Sequence, residues 1–419
     1  MILSSYKYIF YILLPLVKIN LIFRTRRNKE DPKRYRERYG ISKLKRPKGN
    51  LIWIHAASVG EFNSATGLIK YLLKKNNVLV TTSTLTAYKY CKQMFGNKVI
   101  HQFAPIDHKP WVVRFLNHWS PNFVIWIESD IWPNTIKSIK EKQIKQVLLN
   151  LRISPKSLNK WKIIKKSFSQ IINDFDKIFV QSKNDLKLIK KITNRKLNYI
   201  GNLKLTAFAK KINRNKLIKI KKELGSKKII LLASTHQNEE ELILEKIAPI
   251  INKNSGIKII IVPRHPERAI DVLNIAKKNI PNCSTKLNNL SFSKFKCFVL
   301  NSLGEMKLYY NISDIVILGG SFIDMGGHNP IEPAKSKCAI LSGSSIYNWR
   351  DIFEEMKSKK ACIICKSTSE IIKNLNILLK NINSEKKLMN NALNYSNRNQ
   401  ILINNFVREL KPFLVKNNA

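Results

Sequence analysis

Acidic side chains directly follow two of the most apolar segments of the sequence. Glu61 lies in WIHAASVGEF (53–62), after an apolar run and a turn of small residues. Glu128 ends the apolar stretch NFVIWIES (122–129), and Asp130 comes next. Carboxylates are costly to bury without partners, so acids at the ends of apolar strands call for an explanation. An acid in a first helical turn also suits the helix dipole, but that role does not explain the small residues before Glu61.

A second candidate site is an anion site in GGHNPIEPA (326–334). Asn329 suits a helix N-cap, Pro330 suits the first helical position, and Glu332 stands where a reciprocal capping contact forms. Glycines before such a helix let a ligand approach the backbone, and the free amides attract phosphate. An ordinary capped helix would not need the two glycines and the histidine as well.

A third candidate is Arg264 in PRHPER (263–268), a permanently charged fork suited to phosphate and framed by prolines. The alternative is a solvated loop arginine. The sequence contains no GxGxxG, no P-loop and no Cys/His spacing typical of a metal site. Cys362 and Cys365 form a CxxC within an apolar stretch, which favours a buried strand and reduced thiols.

These residues follow apolar segments that alternate with segments of helical periodicity. Such alternation predicts parallel sheets covered by helices, with ligands at the carboxyl ends of the strands. We therefore predict an α/β protein of two Rossmann-like, doubly wound halves facing a cleft. The expected division is a membrane anchor with its basic flank at 1–27, a first domain at 28–209, a linker at 210–227, and a second domain with C-terminal helices at 228–419. Strands are predicted around 51–55 and at 77–84, 122–129, 145–151, 177–182, 197–202, 227–235, 257–264, 296–302, 314–321 and 338–343.

The charge of the chain is strongly positive, with 75 Lys and Arg against 28 Asp and Glu. The lysines are spread along nearly every segment, which favours a general affinity for anionic surfaces over specific nucleic-acid binding. Residues 8–23 are apolar apart from Lys18 and Asn20, and RTRR (24–27) follows. This stretch is short for a span of about 20 residues, so we expect an anchor that either spans or lies in the interface. A buried first helix of a soluble domain is the alternative.

The ordered motifs of the chain resemble those of the 3-deoxy-D-manno-octulosonic acid (Kdo) transferases of lipopolysaccharide synthesis. Asp130 departs from the pattern, since a second glutamate is expected there. The resemblance covers most of the chain. Its motifs are RERYG, HAASVGEF, FAPIDHKPWVVRFLNHWSP, ESDIWPN, NLRIS, GNLK, STHQNEEE, PRHPER, LGEMKLYY and GGSFIDMGGHNPIEPA.

This resemblance implies a GT-B enzyme, attached to the cytoplasmic face of the inner membrane, that transfers Kdo from CMP-Kdo to the lipid A precursor (lipid IVA). It implies that Glu61 is the general base and that Glu128 and Lys204 stabilise the transition state. No metal or other cofactor is expected. The residues implied to hold CMP are Pro263, Arg264, Leu303, Gly304, Glu305, Asn329, Pro330, Ile331 and Glu332.

Two alternatives stay open at this point. One is another GT-B nucleotide-sugar enzyme, such as a UDP-sugar transferase or an epimerase. The other is a basic RNA- or membrane-binding protein on a degenerate Rossmann scaffold, against which the intact acid and glycine motifs argue. The number of Kdo residues added and the oligomeric state do not follow from the sequence.

Overall fold

A computed structural model describes residues 6, 11–128, 130–207, 212–285, 294–301 and 304–414. The chain forms two compact units, one made of 1–208 and 399–419 and the other of 209–398. Both are α/β units with entirely parallel sheets, as predicted.

The first unit contains a six-stranded sheet in the order β3-β2-β1-β4-β5-β6. Strands β1 and β4 are buried along their whole length, as expected for a sheet covered on both faces. The strand order reverses between β1 and β4, so the ends of these two strands form a topological switch point. The strands are β1 Leu51–His55, β2 Asn77–Thr82, β3 Ile100–Phe103, β4 Phe123–Ile127, β5 Lys145–Leu151 and β6 Lys177–Val180. The helices are α1 Leu14–Arg26, α2 Val59–Leu72, α3 Leu85–Phe95, α4 Lys109–Trp119, α5 Pro133–Glu141, α6 Pro155–Ile163, α7 Lys165–Asn173 and α8 Lys183–Ile189, with 3₁₀ helices Tyr35–Tyr39 and Leu203–Thr206.

The second unit contains a seven-stranded sheet in the order β13-β12-β11-β7-β8-β10-β9. Its switch point lies between β7 and β11. The strands are β7 Lys228–Thr235, β8 Ile257–Pro263, β9 Cys283–Ser284, β10 Cys297–Val299, β11 Ile315–Leu318, β12 Ala339–Ser342 and β13 Ile363–Ile364. The helices are α9 Arg214–Leu224, α10 Glu239–Lys253, α11 Ala269–Asn279, α12 Met306–Ile312, α13 Ile331–Lys335, α14 Arg350–Ser358, α15 Thr368–Lys380 and α16 Ile382–Ser396, with a 3₁₀ helix Pro266–Arg268.

Two strand predictions differ from the structure in the first unit. The predicted strand at 197–202 is absent, since only an isolated bridge joins Asn198 to Phe179. Strand β3 was not predicted, because its sequence IHQF carries two polar residues. The structure satisfies both of them, His101 by the Thr82 hydroxyl at 3.0 Å and Gln102 by the Trp119 indole at 2.6 Å.

The expected linker at 210–227 contains helix α9, which belongs to the second unit. The helix is amphipathic despite its many lysines, because Ile220 and Leu224 are buried. A polar composition alone is therefore a poor indication of a linker, since long lysine side chains can line the exposed face of a packed helix.

The last helix, α17 Asn399–Leu414, packs on the first unit and not on the second, contrary to the predicted boundary at 228–419. Phe406 and Leu410 are buried in the core that covers one face of the first sheet. The Phe413 ring stacks on Phe123 at 5.3 Å between ring centroids. The polar sequence after residue 381 gives no indication of this crossing.

Helix α1 leaves most of its apolar side chains in solvent, with Leu16, Ile22 and Phe23 more than half exposed. Leu21 is its one buried residue. Within the described part of the chain, no helix has the length and apolar character needed to cross a bilayer.

Replacing Phe406 with alanine should destabilise the first unit by about 3–5 kcal/mol, because a fully buried ring leaves a cavity in the core. Ile401→Ala, on the same helix but 65% exposed, is the matched control and should cost far less. Urea unfolding followed by tryptophan fluorescence measures both variants. Equal free energies of unfolding for the two would show that α17 does not belong to this core.

Candidate functional site

Glu61 lies in the first turn of α2, directly after the end of β1. Ser58 caps the helix, since its hydroxyl accepts from the Glu61 amide at 3.3 Å and the Glu61 Oε2 accepts from the Ser58 amide at 2.9 Å. This capping box accounts for an acid at position 61 structurally. The other oxygen, Oε1, receives no hydrogen bond from the described residues and is available to accept a proton.

The glycine at position 60 keeps the turn before Glu61 open. Its backbone is not in the left-handed region, and a Cβ there would find only the Ser58 Oγ, at 3.9 Å. Neither backbone strain nor packing therefore requires a glycine at this position. Gly60 is exposed beside the half-buried Glu61, which leaves the approach to the carboxylate open.

Glu128 follows β4 at the same switch point and pairs with Lys204, with 3.5 Å between Nζ and Oε1. Both side chains are only 13% exposed. The Ser64 hydroxyl of α2 donates to Glu128 at 3.2 Å, so the helix that carries Glu61 also contacts Glu128. The structure thus brings together the three residues predicted for the reaction, which the sequence separates by more than 140 positions.

The Glu128 backbone lies in the left-handed region, with φ of 64°. A non-glycine residue in that region costs of order 1–3 kcal/mol and persists only where its surroundings hold it. Here the Glu128 amide donates to the Leu149 carbonyl at 2.8 Å. This conformation directs the chain away from the strand while the Glu128 carboxylate remains paired with Lys204.

Lys204 is positioned through Asn150, a fully buried residue that also has a left-handed φ of 62°. The Asn150 side chain accepts from the Leu203 amide at 2.9 Å. Helix α2 comes close to the same segment at Gly67, where a Cβ would lie 2.1 Å from the Thr206 carbonyl oxygen. Only glycine fits at that contact.

Asp130 accepts a hydrogen bond from His55 at 2.8 Å, a contact that sequence reasoning missed because His55 falls inside the strand β1. The Thr81 hydroxyl accepts from the Trp53 indole and lies 2.8 Å from His55 Nδ1, so hydrogen bonds hold the His55 ring at both nitrogens. Burial alone would raise the pKa of Asp130, but the hydrogen bond from His55, the electrostatic effect of His55 and the interaction with Trp132 together outweigh burial and lower that pKa.

Burial is the main reason that the pKa of Glu61 is raised above its usual value. The Ser58 amide opposes this shift, whereas the negative charges of Glu128 and Asp130 add to it. A carboxylate with a raised pKa is a stronger base, which is the property that general-base catalysis needs.

Asp107, in the long motif FAPIDHKPW, has a structural role. It is completely buried and caps α5 by accepting from the amides of Asn134 and Thr135 at 3.0 and 2.7 Å. Burial raises the pKa of Asp107 to about 6. The motifs FAPIDHKPW and ESDIWPN are therefore tied together by a cap that holds the segment after Glu128.

In the second unit, His236 and His328 meet at the carboxyl ends of β7 and β11. Their Nε2 atoms lie 2.9 Å apart and their rings are nearly parallel. Gly320 leaves room for the pair, since a Cβ there would lie 3.3 Å from His328. Burial, the other histidine and Arg264 together lower the pKa of His328 to about 4, so this histidine is neutral near pH 7.

Arg264 follows β8 with its side chain exposed, and its amide donates to the Thr235 carbonyl at 2.9 Å. Its charge lowers the pKa of His236 as well, after the effects of burial and of His265. The predicted phosphate-binding arginine thus lies close to a histidine pair that the sequence did not single out. Neighbouring Arg268, by contrast, is held by the fully buried Glu240 in two hydrogen bonds of 2.9 and 3.1 Å.

The predicted geometry of 329–332 needs correction. Helix α13 begins at Ile331, so Pro330 stands at the N-cap and Glu332 at the second helical position. The Asn329 side chain accepts from the Ile331 amide at 2.9 Å and its amide group donates to Glu332 at 3.3 Å. A helix of five residues has only a small dipole, so any phosphate binding here depends on local amides and on nearby cations.

Burial raises the pKa of Glu332, against the effects of Asn329, Lys335 and Lys307. Burial also lowers the pKa of Lys335 to about 8, which Glu332 opposes. Glu332 is thus an acceptor in a partly buried, charged environment beside Ile331, whose side chain is buried.

The remaining residues predicted to bind CMP lie in different surroundings. Pro263 is buried at the end of β8, and Gly304 is exposed with φ of 81°. Glu305 precedes α12, pairs with Lys216 and accepts from the Tyr309 hydroxyl at 2.9 Å. Leu303 lies outside the described residues.

Glu239 is a further buried acid at the switch point of the second sheet, and sequence reasoning assigned no role to it. Its carboxylate accepts from four backbone amides, those of His236, Gly320, Ser321 and Phe322, at 2.7 to 3.1 Å. These bonds join the segment after β7 to the segment after β11. Glu239 therefore holds in place the loops that carry the two histidines.

Comparisons with known proteins show which family this sequence resembles. A sequence model of the 3-deoxy-D-manno-octulosonic-acid transferase family matches residues 33–207. The 3-deoxy-D-manno-octulosonic acid transferase of Rickettsia bellii is 34% identical over 97% of this chain and 99% of its own length. That of Haemophilus influenzae is 30% identical over 92% of this chain and 93% of its own.

Solved structures support the fold. A glycosyltransferase from Rickettsia africae superposes with a TM-score of 0.62 at 15% identity, over 89% of this chain and all of its own. A UDP-N-acetylglucosamine 2-epimerase superposes with a TM-score of 0.60 at 14% identity, over 88% of this chain and 97% of its own. These likenesses show a GT-B-like fold, and at such identities they show the fold alone.

The second unit should lose stability as the pH falls from about 6.5 to about 4. His328 titrates near 4 when folded and near 6.5 when unfolded, so in this window the unfolded chain binds more protons. The pKa of His328 is depressed by folding, and the free energy of unfolding therefore rises with pH across the window. His328→Gln should make this dependence shallower in urea unfolding at about pH 7 and about pH 5.

His265→Gln is the control, because that side chain is 59% exposed. It should change the pH dependence of the wild type much less than His328→Gln does. If His328→Gln and His265→Gln gave the same slope as the wild type, the buried histidine pair would not be the source of the effect.

Proposed function

This chain belongs to the family of Kdo transferases of lipopolysaccharide biosynthesis, and from that premise we propose that it transfers Kdo from CMP-Kdo to the lipid A precursor, lipid IVA. The observation that carries the proposal is Glu61, a carboxylate of raised pKa at the switch point of a parallel sheet, with an open approach past Gly60. The proposed place of the reaction is the cytoplasmic face of the inner membrane.

Glu61 acts as the general base. Its free Oε1 takes the proton from an acceptor hydroxyl, whose oxygen forms a bond to the anomeric carbon of Kdo while the bond from that carbon to the CMP phosphate breaks. The hydrogen bond from Ser58 to Oε2 fixes the carboxylate during this step. Base catalysis of this kind typically contributes about 10²–10⁴-fold.

Glu128 and Lys204 carry opposite charges, and two opposite charges also develop in the transition state. Positive charge grows at the anomeric carbon and negative charge on the departing phosphate. Glu128, with its pairing to Lys204 and Ser64, is a preorganised negative charge and so suits the first of these. Lys204 compensates the charge of Glu128 in a site where burial disfavours charge.

The donor is assigned to the second unit. Arg264 would take a phosphate oxygen, and Glu332 would accept from the ribose hydroxyls. Arg264 and the amides around 329–332 would neutralise the leaving CMP, so the proposed reaction needs no metal. The further residues assigned to CMP are Pro263, Leu303, Gly304, Glu305, Asn329, Pro330 and Ile331.

Membrane attachment is assigned to the N-terminal segment. Helix α1 and the residues just before it expose large apolar side chains, among them Ile12 at 76% and Leu16 at 61%, which water solvates poorly. Basic residues end the helix, with Arg24 and Arg26 in its last turn. An apolar face with basic flanks is typical of a helix that lies in the interface of an anionic membrane.

Glu61→Gln should abolish Kdo transfer while preserving the fold. Glutamine keeps an oxygen that can accept from the Ser58 amide, so the capping box survives, but a carboxamide cannot take the proton. Glu141→Gln, an exposed acid of the same unit, is the control. Products formed from CMP-Kdo and lipid IVA are read by mass spectrometry.

Turnover by the Glu61→Gln variant within a few-fold of the wild type would leave Glu61 only its capping role. Transfer from a UDP-sugar but none from CMP-Kdo would favour the other nucleotide-sugar enzymes.

Arg264→Ala should weaken CMP binding by about 2 kcal/mol, the worth of a charge-assisted hydrogen bond. Lys278→Ala, an exposed cation on α11, removes the same charge elsewhere in the unit and should change CMP affinity little. Isothermal calorimetry with CMP measures both. Equal affinities for the two variants would remove Arg264 from the donor site.

A further inference from the structure

A cavity of about 660 Å³ lies in the first unit, at the edge of the sheet formed by β3. Its walls are the 3₁₀ helix Tyr35–Tyr39 with the loop that follows, helix α3, and the start of β3. None of the residues assigned to transfer lines it. This volume is within the range of about 300–1,000 Å³ usual for small-ligand sites.

The cavity is more basic than the composition of the chain explains. Six of its sixteen lining residues are lysine or arginine, about twice the share in the whole sequence, 75 of 419. Its one acid, Glu37, is taken by Arg34 in two hydrogen bonds of 2.7 and 2.9 Å. The other five cations have no carboxylate within ion-pair distance in the described part of the chain. These five are Lys33, Arg36, Lys43, Lys45 and Lys92.

Apolar side chains stand among these cations. Ile41 is 39% exposed and Leu44 is 49% exposed, on the same loop as Lys43 and Lys45. The Tyr88 ring is covered by the Arg34 guanidinium at 4.5 Å, so it does not offer a free face for a nucleobase. Cations without a carboxylate partner beside exposed aliphatic side chains complement a phosphate that carries an apolar group, and they suit a lipid better than a nucleic acid.

The cavity is joined to the helix assigned to the membrane. Glu30 is buried between Arg24, at the end of α1, and Arg38, on the 3₁₀ helix that lines the cavity, at 2.8 and 2.9 Å. Arg38 is also fixed by the Ser83 carbonyl at 2.7 Å. Ordering of α1 at a membrane surface is thereby linked to the position of the 3₁₀ helix that lines the cavity.

We propose that this cavity binds the phosphate headgroup of an anionic glycerophospholipid of the membrane, separately from sugar transfer. The inference rests on the proposed membrane attachment and gives it a specific site. The cations hold the phosphate, and Ile41 and Leu44 contact the glycerol and the start of the acyl chains.

Vesicle flotation tests the proposal with the full-length protein. The probes are phosphatidylcholine vesicles with and without phosphatidylglycerol. Lys43→Glu, Lys45→Glu and Lys92→Glu are combined in one variant, and Lys160→Glu, Lys162→Glu and Lys166→Glu, exposed on α6 and α7, form a control with the same change of charge. The cavity variant should partition about tenfold or more weaker than the control on phosphatidylglycerol vesicles, and equally on phosphatidylcholine alone.

Four outcomes would overturn the proposal. Equal losses in the two variants would indicate diffuse attraction to the whole basic surface. A raised KM for detergent-dispersed lipid IVA in the cavity variant would make the cavity an acceptor subsite. If the wild type bound soluble glycerol phosphate and the cavity variant did not, with flotation unchanged, the cavity would be a site for a free phosphate. RNA binding lost in the cavity variant alone would assign it to nucleic acid.

Deletion of residues 1–23 separates this inference from the attachment on which it rests. If the deletion and the cavity variant each weaken flotation, both assignments stand. If only the deletion does so, α1 is the anchor and the cavity assignment is wrong. If the wild type floats with neither vesicle, the proposed membrane attachment itself fails while Kdo transfer is still measurable in detergent.

Discussion

Three carboxylates, those of Glu61, Glu128 and Asp130, share one partly buried region at the switch point of the first sheet, and carboxylates are costly to bury without partners. Each has its own compensating partner: the Ser58 amide for Glu61, Lys204 for Glu128, and His55 for Asp130. Glu61 is held by a backbone amide, which carries no net charge. Burial, with the added negative charges of Glu128 and Asp130, raises the pKa of Glu61, whereas the interactions with His55 lower the pKa of Asp130.

The partners come from distant parts of the chain, and this explains much of the architecture. Asn150 at the end of β5 fixes the amide next to Lys204, and Gly67 lets α2 approach the same segment. The last helix, α17, crosses back from the second unit to cover this region, with Phe406 in the core beneath it. The second unit also has a partnered acid at its switch point, since the Glu239 carboxylate accepts hydrogen bonds from four backbone amides.

The sequence was sufficient for features that depend on local pattern. Apolar runs predicted parallel strands in both units, and the acids after them marked the ends of β1 and β4. Features that depend on pairing across the chain were not predictable in this way. His55 and Asp130, which are hydrogen-bonded, lie 75 positions apart. Strand β3 can contain two polar residues because Thr82 and Trp119 form hydrogen bonds with them. The start of α13 was predicted one residue early, since the helix begins at Ile331 and not at Pro330, although the Asn329 side chain does accept from the Ile331 amide.

Glu61 owes its basicity to burial and to the negative charges of Glu128 and Asp130. The most direct measurement is the pH dependence of kcat/KM for Kdo transfer by the wild type and by Asp130→Asn. We expect an acid limb above 4.5, the ordinary value for a glutamate, because the rate falls as Glu61 takes up a proton. The limb should move to lower pH in Asp130→Asn, where one neighbouring negative charge is gone. An acid limb at or below 4.5 that stays in place in the variant would contradict this expectation.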